Sequence, residues 1–280
     1  MPEFPVRETL RRLRRDAKWS WEYRSGLVRR FVVSRWRERL VPRAERDRTQ
    51  ERHFADLGLS RAAGLAEIDR ALAACGLGAY DEDDDMFSEH LVLLAALALR
   101  HRGARRVLEI GTYDGRTALV LAELFPDAEI VSVDLPTADP VYGESYQFSR
   151  AADFEQRRAA VLCRSPRVRF VARNSLGLVH EPGGTYDVVW ADGDHQFPVI
   201  AVDLANAVRL LRPGGHLLCD DVCVARARRS SIYLSDAAHR SLGALRDAGL
   251  IEAPTYLYKR LGTPHQSPRK FVAIAATRGR

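Results

Sequence analysis

Two apolar segments, each followed by an acidic residue, constrain the fold of this chain most. Residues 107–115 read Val-Leu-Glu-Ile-Gly-Thr-Tyr-Asp-Gly, and residues 131–135 read Val-Ser-Val-Asp-Leu. In an open α/β sheet, ligands bind outside the carboxyl ends of the strands, where the strand order reverses. Gly111 and Gly115 allow the backbone to approach a ligand closely. Asp134 is placed to accept hydrogen bonds from both hydroxyls of a ribose.

The spacing of the glycines separates two classes of cofactor. A dinucleotide site needs Gly-x-Gly-x-x-Gly, which seats a pyrophosphate on a helix N-terminus. Here the pattern is Glu-x-Gly-x-x-x-Gly from Glu109 to Gly115, and an acid beside the loop would repel a pyrophosphate. The same acid suits the cationic amino-acid end of S-adenosylmethionine (SAM). Residues 107–115 resemble motif I of the class I SAM-dependent methyltransferases, and Asp134 falls where that family binds ribose.

This resemblance implies SAM as the cofactor and a set of residues that contact it. Asn174 and Ser175, just past the third predicted strand, fall where related enzymes contact the adenine side of SAM, although the family often has an acid at the first of these positions. From the residues alone, a plain βαβ unit with a tight turn is the alternative. The residues assigned to cofactor binding are Glu109, Gly111, Thr112, Tyr113, Gly115, Asp134, Asn174, Ser175 and Asp192.

From residue 87 onward, predicted helices and strands alternate, which predicts a parallel sheet with helices on both faces. Two late strands resemble the antiparallel hairpin that ends the class I methyltransferase sheet. We therefore expect an α/β, Rossmann-like fold with a mostly parallel seven-stranded sheet, plus an N-terminal helical extension. The predicted strands are 106–110, 129–133, 168–172, 186–191, 215–219, 255–260 and 270–277. The predicted helices are 60–75, 87–101, 115–124, 197–211 and 236–247, with an insertion at 137–165.

Acidic residues also end two later predicted strands. Residues 187–195 read Asp-Val-Val-Trp-Ala-Asp-Gly-Asp-His, and residues 211–221 read Leu-Arg-Pro-Gly-Gly-His-Leu-Leu-Cys-Asp-Asp. Carboxylates gathered at one edge of a sheet raise each other's pKa unless a cation is present, and oxygen ligands select a hard cation such as Mg²⁺. The alternative is that these acids are turn or capping residues. The four side chains are Asp192, Asp194, Asp220 and Asp221.

The second pattern resembles the metal-dependent O-methyltransferases that act on sugar hydroxyls of macrolides and aminocoumarins. It is also similar to the broader group of rhamnosyl O-methyltransferases and cephalosporin hydroxylase-like proteins. The resemblance covers about residues 107–222 and implies a Mg²⁺-assisted methyl transfer from SAM to a hydroxyl of a glycosylated or polyhydroxylated small molecule. It implies these roles: Mg²⁺ ligands Asp192, Asp220 and Asp221, general base Asp194, and supporting catalytic residue His195.

Two other functions stay open at this point. The first is an oxidative enzyme on the same fold, as in the cephalosporin hydroxylase-like relatives. Iron sites usually take two histidines and a carboxylate, and His195 is the one histidine expected at this edge, which argues against iron. The second is a non-catalytic SAM-binding accessory protein that the N-terminal extension docks on a membrane or a partner. A dehydrogenase is disfavoured because the dinucleotide glycine pattern is missing.

Positive charge is concentrated near the N-terminus. Residues 1–50 hold 15 basic and 7 acidic residues, although the whole chain of 280 residues has a net charge of +6. We divide the chain into a basic, mainly helical extension over 1–80 and a methyltransferase domain over 81–280. Segment 8–40 mixes arginine with aromatic residues. We favour its packing on the chain's own core or on a partner subunit over a peripheral membrane contact, and we expect no nucleic-acid binding.

The remaining features concern the compartment and the acceptor. The four cysteines show no zinc spacing, no apolar run is long enough to span a membrane, and the first residues lack the apolar core of a signal peptide. We therefore expect a cytoplasmic protein, with a homo-oligomer as an open alternative. Segments 137–165 and 223–235 contain aromatic residues and arginines after strand ends. They are expected to cover a small hydroxylated acceptor, unless they are ordinary surface loops.

Overall fold

The computed structural model describes residues 43–81, 88–136, 139, 151–224, 235–261 and 270–278. The basic segment 8–40 lies outside these residues, as do residues 225–234 of the segment 223–235 that was expected to cover the acceptor. Of the aromatic side chains expected over the acceptor in segment 137–165, Phe154 lies inside them. Both acid-ended sequence patterns fall within the described part of the chain.

One sheet contains seven strands: β1 (Arg106–Ile110), β2 (Glu129–Asp134), β3 (Val168–Ala172), β4 (Tyr186–Ala191), β5 (Leu211–Val222), β6 (Thr255–Tyr258) and β7 (Phe271–Ala276). Their order is β3-β2-β1-β4-β5-β7-β6. Strands β1 to β5 pair in parallel, and β7 runs antiparallel between β5 and β6. The strand order reverses between β1 and β4, so the loops after these strands lie where open α/β sheets bind ligands.

Helices cover both faces of the sheet. The helices of the described residues are α1 (Arg43–Asp56), α2 (Arg61–Ala74), α3 (Glu89–Arg100), α4 (Arg116–Leu124), α5 (Ala151–Leu162), α6 (Val199–Leu210) and α7 (Ala237–Asp247). Successive side chains of a strand point to opposite faces. Accordingly Val188 joins the hydrophobic cluster of α1 to α4, and its neighbour Val189 joins the cluster of α6 and α7.

The sequence accounts for this layering. All six residues of β4 are buried, which fits the near-continuous apolar runs of parallel strands covered on both faces. Helix α3 is apolar around most of its circumference and lies buried beside α2. The two helices approach so closely that a Cβ at Gly64 would lie 2.6 Å from the Val92 carbonyl oxygen.

The structure confirms the predicted fold class and most predicted elements. Strands β1, β3 and β4 have the predicted bounds, and the other predicted strands and helices differ from observed ones by a few residues, β5 excepted, which extends to Leu211. Helix α5 lies inside the segment that was predicted as an insertion. Its buried residues recur every four positions at Phe154, Arg158 and Leu162. Because the middle residue of this series is a charged arginine, the sequence does not show the apolar periodicity that predicts a helix.

Helices α1 and α2 belong to the same hydrophobic cluster as the sheet. Phe54, Ile68 and Leu72 are fully buried in it. Gln50 of α1 donates to the Tyr258 carbonyl of β6 at 3.0 Å and accepts from the Tyr258 amide at 3.0 Å. The proposed boundary at residue 80 therefore falls between elements that share one core.

Candidate functional site

The loop after β1 is held against the loops after β2 and β4. The Gly111 amide donates to the Val133 carbonyl at 2.9 Å, and the Asp192 amide donates to the Ile110 carbonyl at 2.8 Å. Gly111 has φ +101°, and a Cβ there would lie 2.2 Å from the Asp192 carbonyl oxygen. A side chain at this position would therefore clash with backbone, and glycine is required both by conformation and by space.

The turn continues into helix α4 through a second constrained glycine. Gly115 precedes the first residue of α4 with φ +85°, and a Cβ there would lie 2.8 Å from Leu162 Cδ2 of α5. Tyr113 also has a positive φ of 48°, and its amide donates to Asp134 Oδ2 at 2.9 Å. The glycine loop is thus fastened to the end of β2.

Glu109 is a buried carboxyl at the end of β1. Ser132 Oγ donates to Glu109 Oε2, and Thr112 Oγ1 lies 2.6 Å from the same serine hydroxyl. Glu109 Oε1 is enclosed and has no hydrogen-bond partner among the described residues. Burial raises the pKa of Glu109 well above its ordinary value. A buried acceptor of this kind fits an ammonium group, such as the amino-acid end of SAM, because the cation would satisfy Oε1 and stabilise the charged carboxylate.

Asp134 lies at the end of β2 and is almost fully buried. Its Oδ2 accepts from the Tyr113 amide, and its Oδ1 accepts from the Leu135 amide at 2.8 Å. Arg158 of α5 places Nη1 3.5 Å from Asp134 Oδ2, and its guanidinium lies 4.4 Å from the centre of the Phe170 ring. Sequence reasoning missed Arg158 because its segment was assigned to an insertion.

Asn174 and Ser175 follow β3 at the same edge of the sheet. Asn174 Oδ1 accepts from the Leu176 amide at 3.0 Å and so begins a short 3₁₀ helix over Ser175–His180. Ser175 lies near enough to Asp203 of α6, a residue that sequence reasoning did not select, to favour its ionised carboxylate. Burial raises the pKa of Asp203 to about 6, although Ser175 opposes the shift.

The loop after β4 brings Asp192 and His195 together. His195 Nε2 lies 3.4 Å from Asp192 Oδ1, and the histidine side chain is only 12% exposed. Burial, followed by the charge of Asp220, raises the pKa of Asp192 to about 6. Burial opposes protonation of His195, but the carboxylates of Asp192 and Asp221 outweigh it and raise the pKa of the imidazole. The pair can hold and release one proton.

Asp194, the predicted general base, is exposed at the turn of this loop. Its Oδ1 accepts from the Gln196 amide at 2.8 Å. This is an Asx turn, the structural alternative that the Asp-Gly-Asp sequence also allowed. The geometry therefore makes His195 better placed than Asp194 to exchange a proton at the end of β4.

Two lysine side chains form ion pairs with the adjacent carboxylates of Asp220 and Asp221 at the end of β5. Lys259 Nζ lies 2.5 Å from Asp220 Oδ2 and 2.5 Å from Asp221 Oδ1. Lys270 Nζ pairs with Asp221 Oδ2. Burial works against ionisation of Asp221, but the charges of Lys259 and Lys270 outweigh it and hold its pKa far below the ordinary value.

The predicted Mg²⁺ ligands do not form a cation site in this arrangement. Three of the four oxygens of Asp220 and Asp221 contact an ammonium, and the fourth, Asp220 Oδ1, is enclosed. No group of three His, Cys, Asp or Glu side chains among the described residues could hold a metal ion. Two ammonium groups would also repel a divalent cation, since unit charges 4 Å apart interact by about 4 kcal/mol near a protein surface. The assignment of Asp192, Asp220 and Asp221 as Mg²⁺ ligands therefore stays a prediction that this arrangement does not support.

A topological signal for both lysines was present in the sequence. Because β7 runs antiparallel to β5, its first residues lie beside the last residues of β5, as the pairing of Val222 with Phe271 shows. Because β6 runs antiparallel to β7, its end lies at the same edge, where Tyr258 pairs with Phe271. Lys259 follows β6 and Lys270 precedes β7. The predicted hairpin therefore places both lysines at the edge that carries the acids.

The fold and the site can now be set beside known proteins. Residues 108–222 match the family model described as a methyltransferase domain. The chain is similar to the solved structure of the O-methyltransferase TomG from Streptomyces achromogenes, involved in tomaymycin synthesis and in complex with SAM. The two are 22% identical, the match covers 84% of this chain and 99% of that chain, and the TM-score is 0.51.

Two other solved structures match the chain at lower similarity. An O-methyltransferase from Bacillus cereus in complex with S-adenosylhomocysteine is 20% identical, with 82% of this chain and 96% of that chain covered and a TM-score of 0.46. The N-methyltransferase NodS from Bradyrhizobium japonicum is 16% identical, with 71% and 100% covered and a TM-score of 0.49. A search of curated protein sequences found no match. None of the described helices has the length and apolarity needed to span a membrane.

Proposed function

We propose that this chain transfers a methyl group from SAM to a hydroxyl oxygen, because residues 108–222 match a methyltransferase-domain model and the sheet is Rossmann-like. The acceptor is a small glycosylated or polyhydroxylated molecule, as the resemblance of the Asp-Gly-Asp-His pattern implies. Support for the cofactor comes from buried Glu109 Oε1, the close approach at Gly111 and the carboxylate of Asp134, which share one edge of the sheet.

The observation that favours an oxygen acceptor is the His195–Asp192 pair. An amine can attack as its free base, whereas an alcohol is barely ionised at neutral pH and needs a proton acceptor in the transition state. His195 lies at the end of β4, one strand away from the glycine loop. Asp192 stabilises the imidazolium that forms when His195 takes the hydroxyl proton.

Each site residue has its own role in the methyl transfer. SAM, when bound, supplies a methyl group on a sulfonium whose sulfur keeps the electron pair of the broken S–CH₃ bond. Glu109 holds the cofactor's ammonium, Asp134 its ribose, and Asn174 and Ser175 its adenine side. His195 accepts the proton of the hydroxyl while the O–CH₃ bond forms. Fixing both reactants in line supplies about 7–11 kcal/mol of the barrier in well-oriented systems.

His195→Gln tests the proton acceptor. Formation of S-adenosylhomocysteine from SAM would be measured against a panel of sugars and glycosides, and the best acceptor kept for kinetics. We expect the variant to lose about 10²- to 10⁴-fold in kcat, the usual contribution of a general base. Its SAM affinity should stay close to that of the parent protein.

The pH profile of the same reaction follows from the raised pKa of His195. The base form is lost as pH falls through that pKa, so kcat should fall on the acid side at a pH above the ordinary imidazole value. His195→Gln should lack this limb, and exposed Asp194→Asn is the matched control that should keep it. An unchanged profile in His195→Gln would assign the proton to another group.

A further inference from the structure

The ammonium group of Lys259 lies among the carboxylates that follow β4 and end β5, the edge at which we place the acceptor. Lys259 and Lys270 are two of only three lysines in a chain with 43 basic residues. Lys259 Nζ bridges Asp220 Oδ2 and Asp221 Oδ1 at 2.5 Å each, and its side chain is 14% exposed. An ammonium is a compact point charge, whereas a guanidinium is a planar fork. Of the two basic side chains, lysine is the one whose shape approximates a bound metal ion.

The hairpin and helix α3 fix the position of this ammonium. The Lys259 amide donates to the Lys270 carbonyl at 3.2 Å, and the Lys259 carbonyl accepts from the Glu89 amide at 3.0 Å. The preceding residue, Tyr258, is bound on its backbone by Gln50 of α1. The Lys259 side chain therefore starts from a backbone that three elements hold in place, as a preorganised electrostatic group requires.

The four side chains that contact one another balance in charge without an added ion. Lys259 and Lys270 carry two positive charges, and Asp220 and Asp221 carry two negative charges. Asp192 belongs to the same electrostatic neighbourhood, since it and Lys259 shift each other's pKa. The Lys259 ammonium therefore acts electrostatically on the carboxylate that contacts His195.

We propose that Lys259, paired with Asp220 and Asp221 and backed by Lys270, is the positive charge that stabilises the attacking acceptor oxygen, so that methyl transfer needs no divalent metal. The proposal rests on the proposed function. In the step, the hydroxyl proton passes to His195, the oxygen forms its bond to the methyl carbon, and the sulfur retains the electrons of the bond that breaks. Lys259 donates a hydrogen bond to the oxygen and stays protonated throughout.

Manganese binding to the full-length protein tests the metal part of the proposal. Mn²⁺ would be titrated into metal-free protein and its free concentration followed by electron paramagnetic resonance. We expect Mn²⁺ to bind no site that depends on Asp220 with a dissociation constant below about 1 mM, the range of weak oxygen-ligand sites. Asp220→Asn should therefore leave the Mn²⁺ titration unchanged. One Mn²⁺ bound about tenfold or more tightly than this limit, and lost in Asp220→Asn, would overturn the proposal.

Activity supplies a second, independent test. Turnover of the parent protein on the acceptor found with the sugar and glycoside panel should be the same in EDTA and in excess Mg²⁺. Lys259→Met should lower kcat by about 10²-fold or more, as removal of a preorganised donor does, while the SAM dissociation constant is unchanged. A loss of turnover in EDTA that Mg²⁺ restores would contradict the proposal.

Charge-balanced variants guard against a folding defect. Lys259→Met leaves buried carboxylates without their cation, so the double variant Lys259→Met/Asp221→Asn would be measured beside it. If the folded double variant keeps full kcat, Lys259 does not act on the acceptor. SAM binding by the parent protein distinguishes failure of the proposed function from failure of the role of Lys259. Absence of SAM binding refutes the proposed function. Turnover that is lost in EDTA refutes only the role of Lys259.

Discussion

At the scale of single residues, Gly111 shows how the site depends on backbone contact. Its φ of +101° is one that residues with a side chain rarely adopt, and its Cα faces the Asp192 carbonyl just beyond the carboxyl ends of β1 and β4. The loop proposed to bind the cofactor and the loop that holds the His195–Asp192 pair are therefore joined by a contact with no room for a methyl group. We therefore expect a substitution at Gly111 to displace both the loop after β1 and the loop after β4.

Gly111→Ala should weaken both SAM binding and folding. The forced φ alone costs about 1–3 kcal/mol, and the clash with the Asp192 carbonyl adds to it. Calorimetry with SAM and urea unfolding would measure the two effects. Gly243→Ala in α7 is the matched control, because nothing lies within 4 Å of a Cβ there. That control should raise stability by about 0.5–1 kcal/mol and leave SAM binding alone. Equal SAM affinity in Gly111→Ala and the parent protein would contradict this account of the loop.

At the scale of elements, the hairpin β6–β7 owes its position to helices outside the central fold. Glu89, the first residue of α3, accepts from Arg61 Nε at 2.8 Å and from Gln50 Nε2 at 3.1 Å. Its amide donates to Lys259. The Glu89 carboxylate thus connects α1 and α2, and its backbone amide contacts the hairpin that carries the lysines. Removing this carboxylate leaves the Arg61 guanidinium, only 12% exposed, without its main partner.

Glu89→Ala should lower the free energy of unfolding by about 3–5 kcal/mol, the usual effect of breaking a buried ion pair. Glu67→Ala is the control, because its pair with Arg70 lies on the surface of α2 and should contribute less than about 1 kcal/mol. Chemical denaturation of both variants at neutral pH would measure the difference. Similar losses in the two variants would show that the buried Glu89–Arg61 pair stabilises the fold no more than a surface pair does.

At the scale of the whole molecule, the sequence predicted the fold and the edge of the sheet at which the site lies. Apolar runs ending in Asp134, Asp192 and Asp220 identify strand ends, and parallel strands bring their carboxyl ends to one edge. The partners of these acids were harder to predict. Arg158 lies on a helix whose periodicity its own charge obscured, and Lys259 and Lys270 are distant in sequence from the acids they contact.

The magnesium prediction shows what a sequence pattern of clustered acids leaves unspecified. Clustered carboxylates require positive charge, but the sequence pattern alone does not say whether the charge comes from an ion or from a side chain. Here the antiparallel hairpin delivers it as two ammonium groups. His195 and Asp194 illustrate the same limit, because both follow β4 and only the fold shows that one is enclosed beside Asp192 and the other is exposed in a turn.

The measurement that tests the central claim most directly is a calorimetric titration of SAM into EDTA-treated full-length protein. It would be repeated with Mg²⁺ added and run in parallel with NAD⁺. The account predicts saturable binding of one SAM per chain, an affinity that Mg²⁺ does not change, and no heat from NAD⁺. Absence of SAM binding, or binding of NAD⁺ in its place, would contradict it.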